Sequence, residues 1–204
     1  MHGRNTTWMP EAGCSALSWE TTDGCHLWGR NMDYNRLAEG TMVTYVPRGS
    51  AYSTCLTDFP HSSKEAQRTA VYAAVGTGLL PTPSTPILYE GINEKGLMGG
   101  QLYYRQFAHY PDSLPSNSHP LQPPFAVYHL LAQCATVEEV CQMLQKEMTL
   151  AAVPLFGTVP PLHWAFSDRS GETIIVEPDE DGLHIYRRTG GVMTNSPGYP
   201  WHRL

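Results

Sequence analysis

The sequence predicts an α+β fold in which antiparallel strands and helices form separate layers. Runs of strand-forming residues lie before residue 105 and after residue 161, and most are joined by short turns. Two segments with apolar residues at helical spacing lie between these runs. Because strands follow strands and helices follow helices, the pattern favours antiparallel pairing over an alternating parallel sheet.

The first element is a predicted β-hairpin over residues 14–33. Two strand-like runs, 15–20 and 25–31, flank the turn residues Asp23 and Gly24. An Asp-Gly pair between two such runs is a strong hairpin signal, because glycine readily adopts the positive φ that a tight turn requires. A hairpin returns the end of its second strand to the start of its first.

Three reactive side chains are expected to meet at the open end of this hairpin. Cys14 starts the first strand, and Arg30 and Asp33 end the second. A guanidinium favours a nearby thiolate, a carboxylate can orient an amine, and a freed α-amino group titrates at about 7.7 to 8.0, where it can act as a base. We therefore interpret Cys14 as a nucleophile. The alternative is structural: a small buried cysteine, an exposed arginine and an aspartate that begins a turn.

The middle of the chain is predicted to contain further strands and two loops. Strands are expected over Thr41–Pro47, Thr69–Thr77 and Leu97–Tyr104, with Glu90–Gly96 as a turn before the third. Pro, Ser and His residues predict a surface loop over His109–Pro124.

Two helices come next, followed by the last strands. Apolar spacing predicts a helix over Phe125–Ala135, and a capping box at 136–139 predicts a second one that ends near Glu147. The acidic run Glu177–Asp181 could bind a cation, but we interpret it as a solvated turn. The last strands are expected over Leu162–Asp168, Glu172–Glu177, Gly182–Arg188 and Gly191–Asn195.

Glycine and asparagine leave alternatives open at two places. Gly99 and Gly100 either allow a ligand or another chain segment to approach closely, or they mark a bulge. Asn195 either caps the turn before Pro197 or donates a hydrogen bond to an oxyanion.

Composition argues against several classes of function. A net charge of -6 without a Lys/Arg cluster argues against nucleic acid and anionic membranes as partners. The chain has no apolar run long enough to span a bilayer, and residues 1–13 lack the apolar stretch of a signal peptide, which predicts a cytoplasmic protein. Five cysteines without a CxxC pair predict reduced thiols, and nine scattered histidines predict no metal site. No cofactor is expected.

Six segments form an ordered set of motifs over nearly all of residues 14–204. They are Cys14, GRNMD at Gly29–Asp33, NEKGLMG at Asn93–Gly99, LYY at Leu102–Tyr104, PPLHW at Pro160–Trp164 and VMTNSPGY at Val192–Tyr199. In this order they resemble the choloylglycine hydrolase family. Its members, bile salt hydrolases and penicillin V acylases, are cysteine N-terminal nucleophile hydrolases.

The resemblance implies a four-layer αββα fold. Residues 1–13 would be a leader or propeptide, and residues 14–204 one hydrolase domain that supplies most, but not all, of the family fold. The implied reaction is hydrolysis of a linear amide, with Cys14 as nucleophile and its freed α-amino group as base. Arg30 and Asp33 would surround the amine and the thiol.

The resemblance also implies the remaining site residues and the substrate. Asn195 and the backbone N–H of Tyr103 would hold the oxyanion, and Met32 and Tyr103 would contact the substrate. Tyrosine at position 103 is typical of penicillin V acylases, whereas bile salt hydrolases tend to have asparagine. A small penicillin-type amide is therefore the favoured substrate, conjugated bile acids are the alternative, and a homotetramer is expected for the full-length protein.

Two departures from the family pattern bear on activity. Thirteen residues precede Cys14, so the Gly13–Cys14 bond must be cut, by the protein itself or by another protease, or synthesis must start later, for example at Met9. A further active-site arginine of the family has no counterpart, because Arg203 follows Asn195 too closely. The alternative function is therefore an inactive or binding-only fragment.

Overall fold

The computed structural model describes residues 12–34, 39–56 and 66–203 and confirms the α+β class. The strands are β1 (Ala12–Glu20), β2 (His26–Tyr34), β3 (Met42–Val46), β4 (Ala51–Ser53), β5 (Gln67–Thr69), β6 (Ala74–Leu79), β7 (Ile87–Asn93), β8 (Met98–Tyr103), β9 (His119–Leu121), β10 (Met148–Leu150), β11 (Leu162–Ser167), β12 (Thr173–Asp179), β13 (Gly182–Tyr186) and β14 (Val192–Thr194). The helices are α1 (Ala126–Gln133), α2 (Val137–Lys146) and the single turn α3 (Tyr199–His202). None of the described helices is long and apolar enough to cross a membrane.

A seven-stranded antiparallel sheet forms the centre of the molecule, in the order β13-β12-β11-β8-β7-β6-β3. Helix α1 packs on β7 and β8 at one face. The main core lies there, where Leu130 and Leu131 of α1 are buried in one cluster with Trp164 and Phe166 of β11. Because side chains alternate along a strand, Ala165 points to the opposite face.

A three-stranded antiparallel sheet, in the order β14-β1-β2, packs against that opposite face. Its inner side chains Cys14, Ala16 and Met193 are buried together with Leu102 and Ala165 of the larger sheet. Within the described ranges the layers therefore run helix, sheet, sheet, which gives three of the four predicted αββα layers.

The outer face of the three-stranded sheet is apolar at one end. The side chains there are 40% to 48% exposed and are those of Leu17, Trp19, Leu27 and Val192. Strand alternation places them opposite the buried residues of the inner face.

The predicted hairpin is confirmed, and its strands are longer than expected. Gly24 has a φ of 81°, as the tight turn requires. Pairing continues to Ala12 opposite Tyr34, so the last two residues of the predicted leader belong to β1. Backbone pairing depends on an available partner strand and not on the side-chain pattern. The side-chain pattern therefore predicts a start of β1 that is two residues too late.

The capping box is also confirmed. The hydroxyl of Thr136 accepts a hydrogen bond from the backbone N–H of Glu139 at 3.2 Å. The carboxylate of Glu139 in turn accepts one from the backbone N–H of Ala135 at 2.7 Å. Helix α2 therefore begins at Val137, where the sequence predicts it.

Three predictions from the middle of the chain are wrong in detail. The strand expected over Thr69–Thr77 is interrupted, because the N–H groups of Val71 and Tyr72 donate to the carbonyl of Ala132 instead of to a strand. The loop expected over His109–Pro124 contains β9, which pairs in parallel with β10.

The third misplaced element is the turn before β8. Strand β7 continues to Asn93, so Glu90 lies within a strand, opposite Gly100. Asn93 closes the turn, because its Oδ1 accepts hydrogen bonds at 3.0 Å from the N–H groups of Lys95 and Leu97.

Gly99 and Gly100 allow close packing of aromatic rings. A Cβ atom at Gly99 would lie 2.2 Å from the ring of Phe166, and one at Gly100 would lie 2.6 Å from the ring of Trp28. The close-approach interpretation therefore holds, with side chains of this protein as the neighbours. Trp28 is thereby inserted between the two sheets, two residues before Arg30.

A buried histidine makes stability depend on pH. His129 of α1 is 1% exposed, and its Nδ1 lies 2.8 Å from the hydroxyl of Tyr52, which also accepts a hydrogen bond from Gln133. Burial lowers the pKa of His129 to about 3. In the unfolded chain His129 has an ordinary pKa of about 6.5. Between about pH 3 and pH 6.5, His129 therefore binds a proton in the unfolded chain but not in the folded protein.

Stability should consequently fall as the pH drops below about 6.5. Between pH 7 and pH 5, His129 should remove about 2 kcal/mol from the free energy of unfolding, measured by urea denaturation. His129→Gln should reduce the difference between the two pH values by that amount. The exposed His109 provides the control, because His109→Gln should leave the difference unchanged. A His129→Gln protein with the full difference would contradict this account.

Candidate active site

Cys14 lies on the inner face of the three-stranded sheet, where its residue is 5% exposed. The hairpin pairs it with Met32, and Ala16 with Arg30. All four side chains point toward the seven-stranded sheet, because they occupy alternate or directly opposed positions. The hairpin register is therefore what brings the arginine of β2 to the thiol of β1.

The guanidinium of Arg30 contacts both the thiol and a carboxylate. Its Nη2 lies 3.5 Å from Cys14 Sγ, and its Nη1 donates to Glu90 Oε2 at 2.9 Å. The arginine side chain is only 3% exposed. A fixed positive charge in a site sheltered from water stabilises a thiolate more strongly than the same charge would in solvent.

Asn195 connects the backbone at Cys14 to the seven-stranded sheet. Its Oδ1 accepts a hydrogen bond from the Cys14 nitrogen at 2.6 Å, and its Nδ2 donates to the carbonyl of Tyr103 at 2.8 Å. The predicted pair of Asn195 and Tyr103 is thus brought together. The contact is made to the carbonyl of Tyr103, whereas the family resemblance implied a role for its N–H.

Asp33 is placed differently from Arg30. It pairs with Gly13 and points to the outer face, where its carboxylate accepts a hydrogen bond from Asn31 Nδ2 at 2.9 Å. A Cβ atom at Gly13 would lie 3.9 Å from that carboxylate. Asp33 therefore lies beside the Gly13–Cys14 bond rather than on the thiol side of the strand.

The two predicted substrate-contacting residues are placed differently: Met32 lies directly opposite Cys14 in the hairpin, whereas Tyr103 packs against the core on the helix side of the seven-stranded sheet. Met32 is half-buried against the cluster that contains Cys14. Tyr103 is half-buried at the end of β8, with the guanidinium of Arg105 5.2 Å from the centre of its ring.

A buried pair that the sequence analysis missed holds the segment around Asn195. His163 and Glu177 are both fully buried, and their side chains are 3.1 Å apart. Burial lowers the pKa of His163, which favours the neutral ring, and its Nδ1 lies within hydrogen-bond distance of the Glu177 carboxylate. Glu177 also accepts the N–H of Tyr199 at 2.9 Å, just beyond Asn195. The sequence signal was a histidine within the apolar run LHWAF.

Part of the acidic run Glu177–Asp181 forms a cluster at the end of β12, and Glu177 lies outside this cluster. The predicted solvated turn is correct for residues 180–181, whereas Glu177 is buried. Ligand atoms of Asp179, Asp181 and His184 lie within 4.8 Å of one another beside a cavity of about 570 Å³. The hydrogen bond from His184 to Asp181 at 2.8 Å raises the pKa of His184. This cluster lies on strands that do not contribute Cys14, Arg30 or Asn195.

The family follows from a match that spans these residues. The profile of linear amide C–N hydrolases, choloylglycine hydrolase family, matches residues 14–204. The chain belongs to the choloylglycine hydrolase family. A bile salt hydrolase/transferase from Clostridium perfringens is 31% identical over 191 residues, which cover 93% of this chain and 55% of that protein. One from Lactiplantibacillus plantarum is 29% identical, over 92% of this chain and 54% of that protein.

Solved structures of the family share the fold. A conjugated bile acid hydrolase from Clostridium perfringens has a TM-score of 0.82 at 29% identity, and a penicillin V acylase from Agrobacterium tumefaciens has 0.70 at 25%. Each match covers 93% of this chain and 55% of the other. The N-terminal nucleophile hydrolase fold predicted from sequence is therefore confirmed. The chain spans about half the length of the relatives it matches.

Proposed function

We propose that this choloylglycine hydrolase family chain hydrolyses a linear amide with Cys14 as the nucleophile. The observation that carries the proposal is the 3.5 Å contact between Cys14 Sγ and the buried guanidinium of Arg30. A cation within contact distance of the sulfur can stabilise the negative charge that the sulfur carries as it attacks a carbonyl. The contacts of the Cys14 nitrogen support the same reading, because Asn195 holds it in place.

The proposed base is the nitrogen of Cys14 after cleavage of the Gly13–Cys14 bond. As sulfur attacks the substrate carbonyl, the thiol proton passes to this α-amino group. The C–N bond of the substrate then breaks, the leaving amine takes that proton, and a thioester remains on Cys14. Water attacks the thioester and gives a proton to the α-amino group. The C–S bond then breaks, and this proton returns to the sulfur, so the carboxylic acid is released and the Cys14 thiol is restored.

Asn195 and Tyr103 are the proposed oxyanion donors. An amide nitrogen has two hydrogens, and the bond from Asn195 Nδ2 to the Tyr103 carbonyl uses one of them. The second hydrogen, together with the Tyr103 N–H, would stabilise the charge that develops on the substrate oxygen. Asp33, beside Gly13, would come to face the new amine once the preceding residues have left.

A penicillin carrying a phenoxyacetyl group is the proposed substrate, because position 103 is tyrosine and Met32 lies across the strand from Cys14. Conjugated bile acids are the second candidate, favoured by the 31% identity to a bile salt hydrolase/transferase. No cofactor enters this mechanism. A homotetramer in the cytoplasm remains a prediction from the sequence.

Intact mass and two hydrolysis rates test this proposal on the purified chain. We expect a mass that lacks residues 1–13 and a kcat/KM at least about tenfold higher for the phenoxyacetyl penicillin than for a glycine-conjugated bile acid. Tyr103→Asn is the matched variant, and it should lower the ratio of the two kcat/KM values.

Faster cleavage of the bile acid would overturn the substrate assignment. A protein that keeps residues 1–13 and hydrolyses neither amide would favour the inactive-fragment alternative.

A further inference from the structure

Glu90 is the one charged residue of the seven-stranded sheet with a direct contact to the proposed thiol site among the described residues. It lies on β7, opposite Gly100, and its carboxylate accepts the 2.9 Å hydrogen bond from Arg30 Nη1. Its side chain is 29% exposed, at a cleft of about 350 Å³ whose wall also includes Trp28 and Arg30. The contact therefore joins the two sheets at the level of the thiol.

The nitrogens of the Arg30 guanidinium have different surroundings. Nη1 is bonded to Glu90, Nη2 faces Cys14 Sγ, and Nε is buried without a hydrogen-bond partner in the described part of the chain. An unpaired buried guanidinium is costly, so the carboxylate largely determines where this group rests. Without it, Arg30 would gain free energy by turning toward the cleft and its water.

We propose that Glu90 is a positioning residue that holds the Arg30 guanidinium against the Cys14 thiol. The inference rests on the proposed role of Cys14 as nucleophile and adds a residue of the opposite sheet to the site. The carboxylate acts in two ways. It fixes the direction of Nη2, and its negative charge offsets part of the positive charge that the thiol experiences.

Two variants of similar length separate these effects. Glu90→Gln keeps an oxygen that can accept from Nη1 but removes the negative charge, so Arg30 stays in place and favours the thiolate more strongly. Glu90→Met fills the same space without an acceptor, so Arg30 leaves and favours the thiolate less. A purely structural role of Glu90 would give both variants the same sign of effect, or none.

The test is the pH profile of Cys14 alkylation by iodoacetamide, which needs no substrate turnover. The measurements use the full chain with Cys25→Ser, because Cys25 is exposed, and follow the Cys14 peptide by mass spectrometry. Burial raises the pKa of Cys134 and of Cys141, which slows their alkylation. At pH 7 we expect alkylation of Cys14 to be several-fold to about tenfold faster in Glu90→Gln and about tenfold slower in Glu90→Met.

Controls distinguish this proposal from the proposed function. Glu94→Gln alters a carboxylate that is paired with Arg48 just beyond β7, and should leave the profile unchanged. Arg30→Met should slow alkylation as Glu90→Met does. Profiles that shift in the same direction in both Glu90 variants, or in neither, would overturn the positioning role. If the pH profiles of the two Glu90 variants shift in opposite directions but the protein has no amidase activity, the positioning role of Glu90 is supported and the proposed function is not.

Discussion

Replacing Cys14 by alanine should reduce kcat/KM for amide hydrolysis by about 10⁴-fold or more, down to the background rate. The substitution removes the sulfur that attacks the carbonyl, and the neighbouring Arg30 and Asn195 cannot form a thioester in its place. The free energy of unfolding should change by only about 1 kcal/mol, because one small buried atom is lost.

Hydrolysis rates and thermal unfolding, measured on the same preparation, check both parts of this expectation. Cys25→Ser is the matched control, because Cys25 lies exposed at the far end of the same hairpin and should retain the full rate. A Cys14→Ala protein with an undiminished rate would exclude Cys14 as the nucleophile.

Replacing Gly76 by alanine should lower the free energy of unfolding by about 3 kcal/mol or more. A Cβ atom there would lie 2.2 Å from the carbonyl oxygen of Glu90 and 3.0 Å from the Cα of Gly91. Both neighbours are backbone atoms of β7, so relief requires that β6 and β7 separate.

Urea denaturation measures this loss, and Gly190→Ala is the control. Apart from the two residues next to it in the chain, no described residue has an atom within 4 Å of a Cβ at Gly190, so that substitution should be close to neutral. Equal unfolding free energies for the two variants would mean that β6 and β7 can accommodate a methyl group, contrary to the packing described.

Local signals predicted the parts of this fold that local contacts determine. The Asp-Gly turn of the hairpin and the Thr136–Glu139 capping box depend on neighbouring residues, so the sequence specifies them without knowledge of the tertiary structure. The predicted hairpin also placed Arg30 near Cys14, as observed, because the turn determines the register of the two strands.

Contacts between distant segments account for what sequence analysis missed. Glu90 was assigned to a turn, since nothing near it in sequence shows that Arg30 lies opposite across the sheets. Asp33 has the predicted position along the chain, but β1 extends past Cys14, and strand alternation then directs its carboxylate to the outer face. The bond between Asn195 and the carbonyl of Tyr103 joins residues 92 positions apart.

The two hydrogen bonds of Asn195 also make the site sensitive to deamidation of this side chain. One end of its amide must accept from the Cys14 nitrogen and the other must donate to the Tyr103 carbonyl, so only one orientation of the group is possible. Spontaneous deamidation would replace the donating nitrogen by oxygen and put two acceptors 2.8 Å apart. Deamidation of this one side chain would thus weaken the connection between β1 and the seven-stranded sheet without changing any other residue.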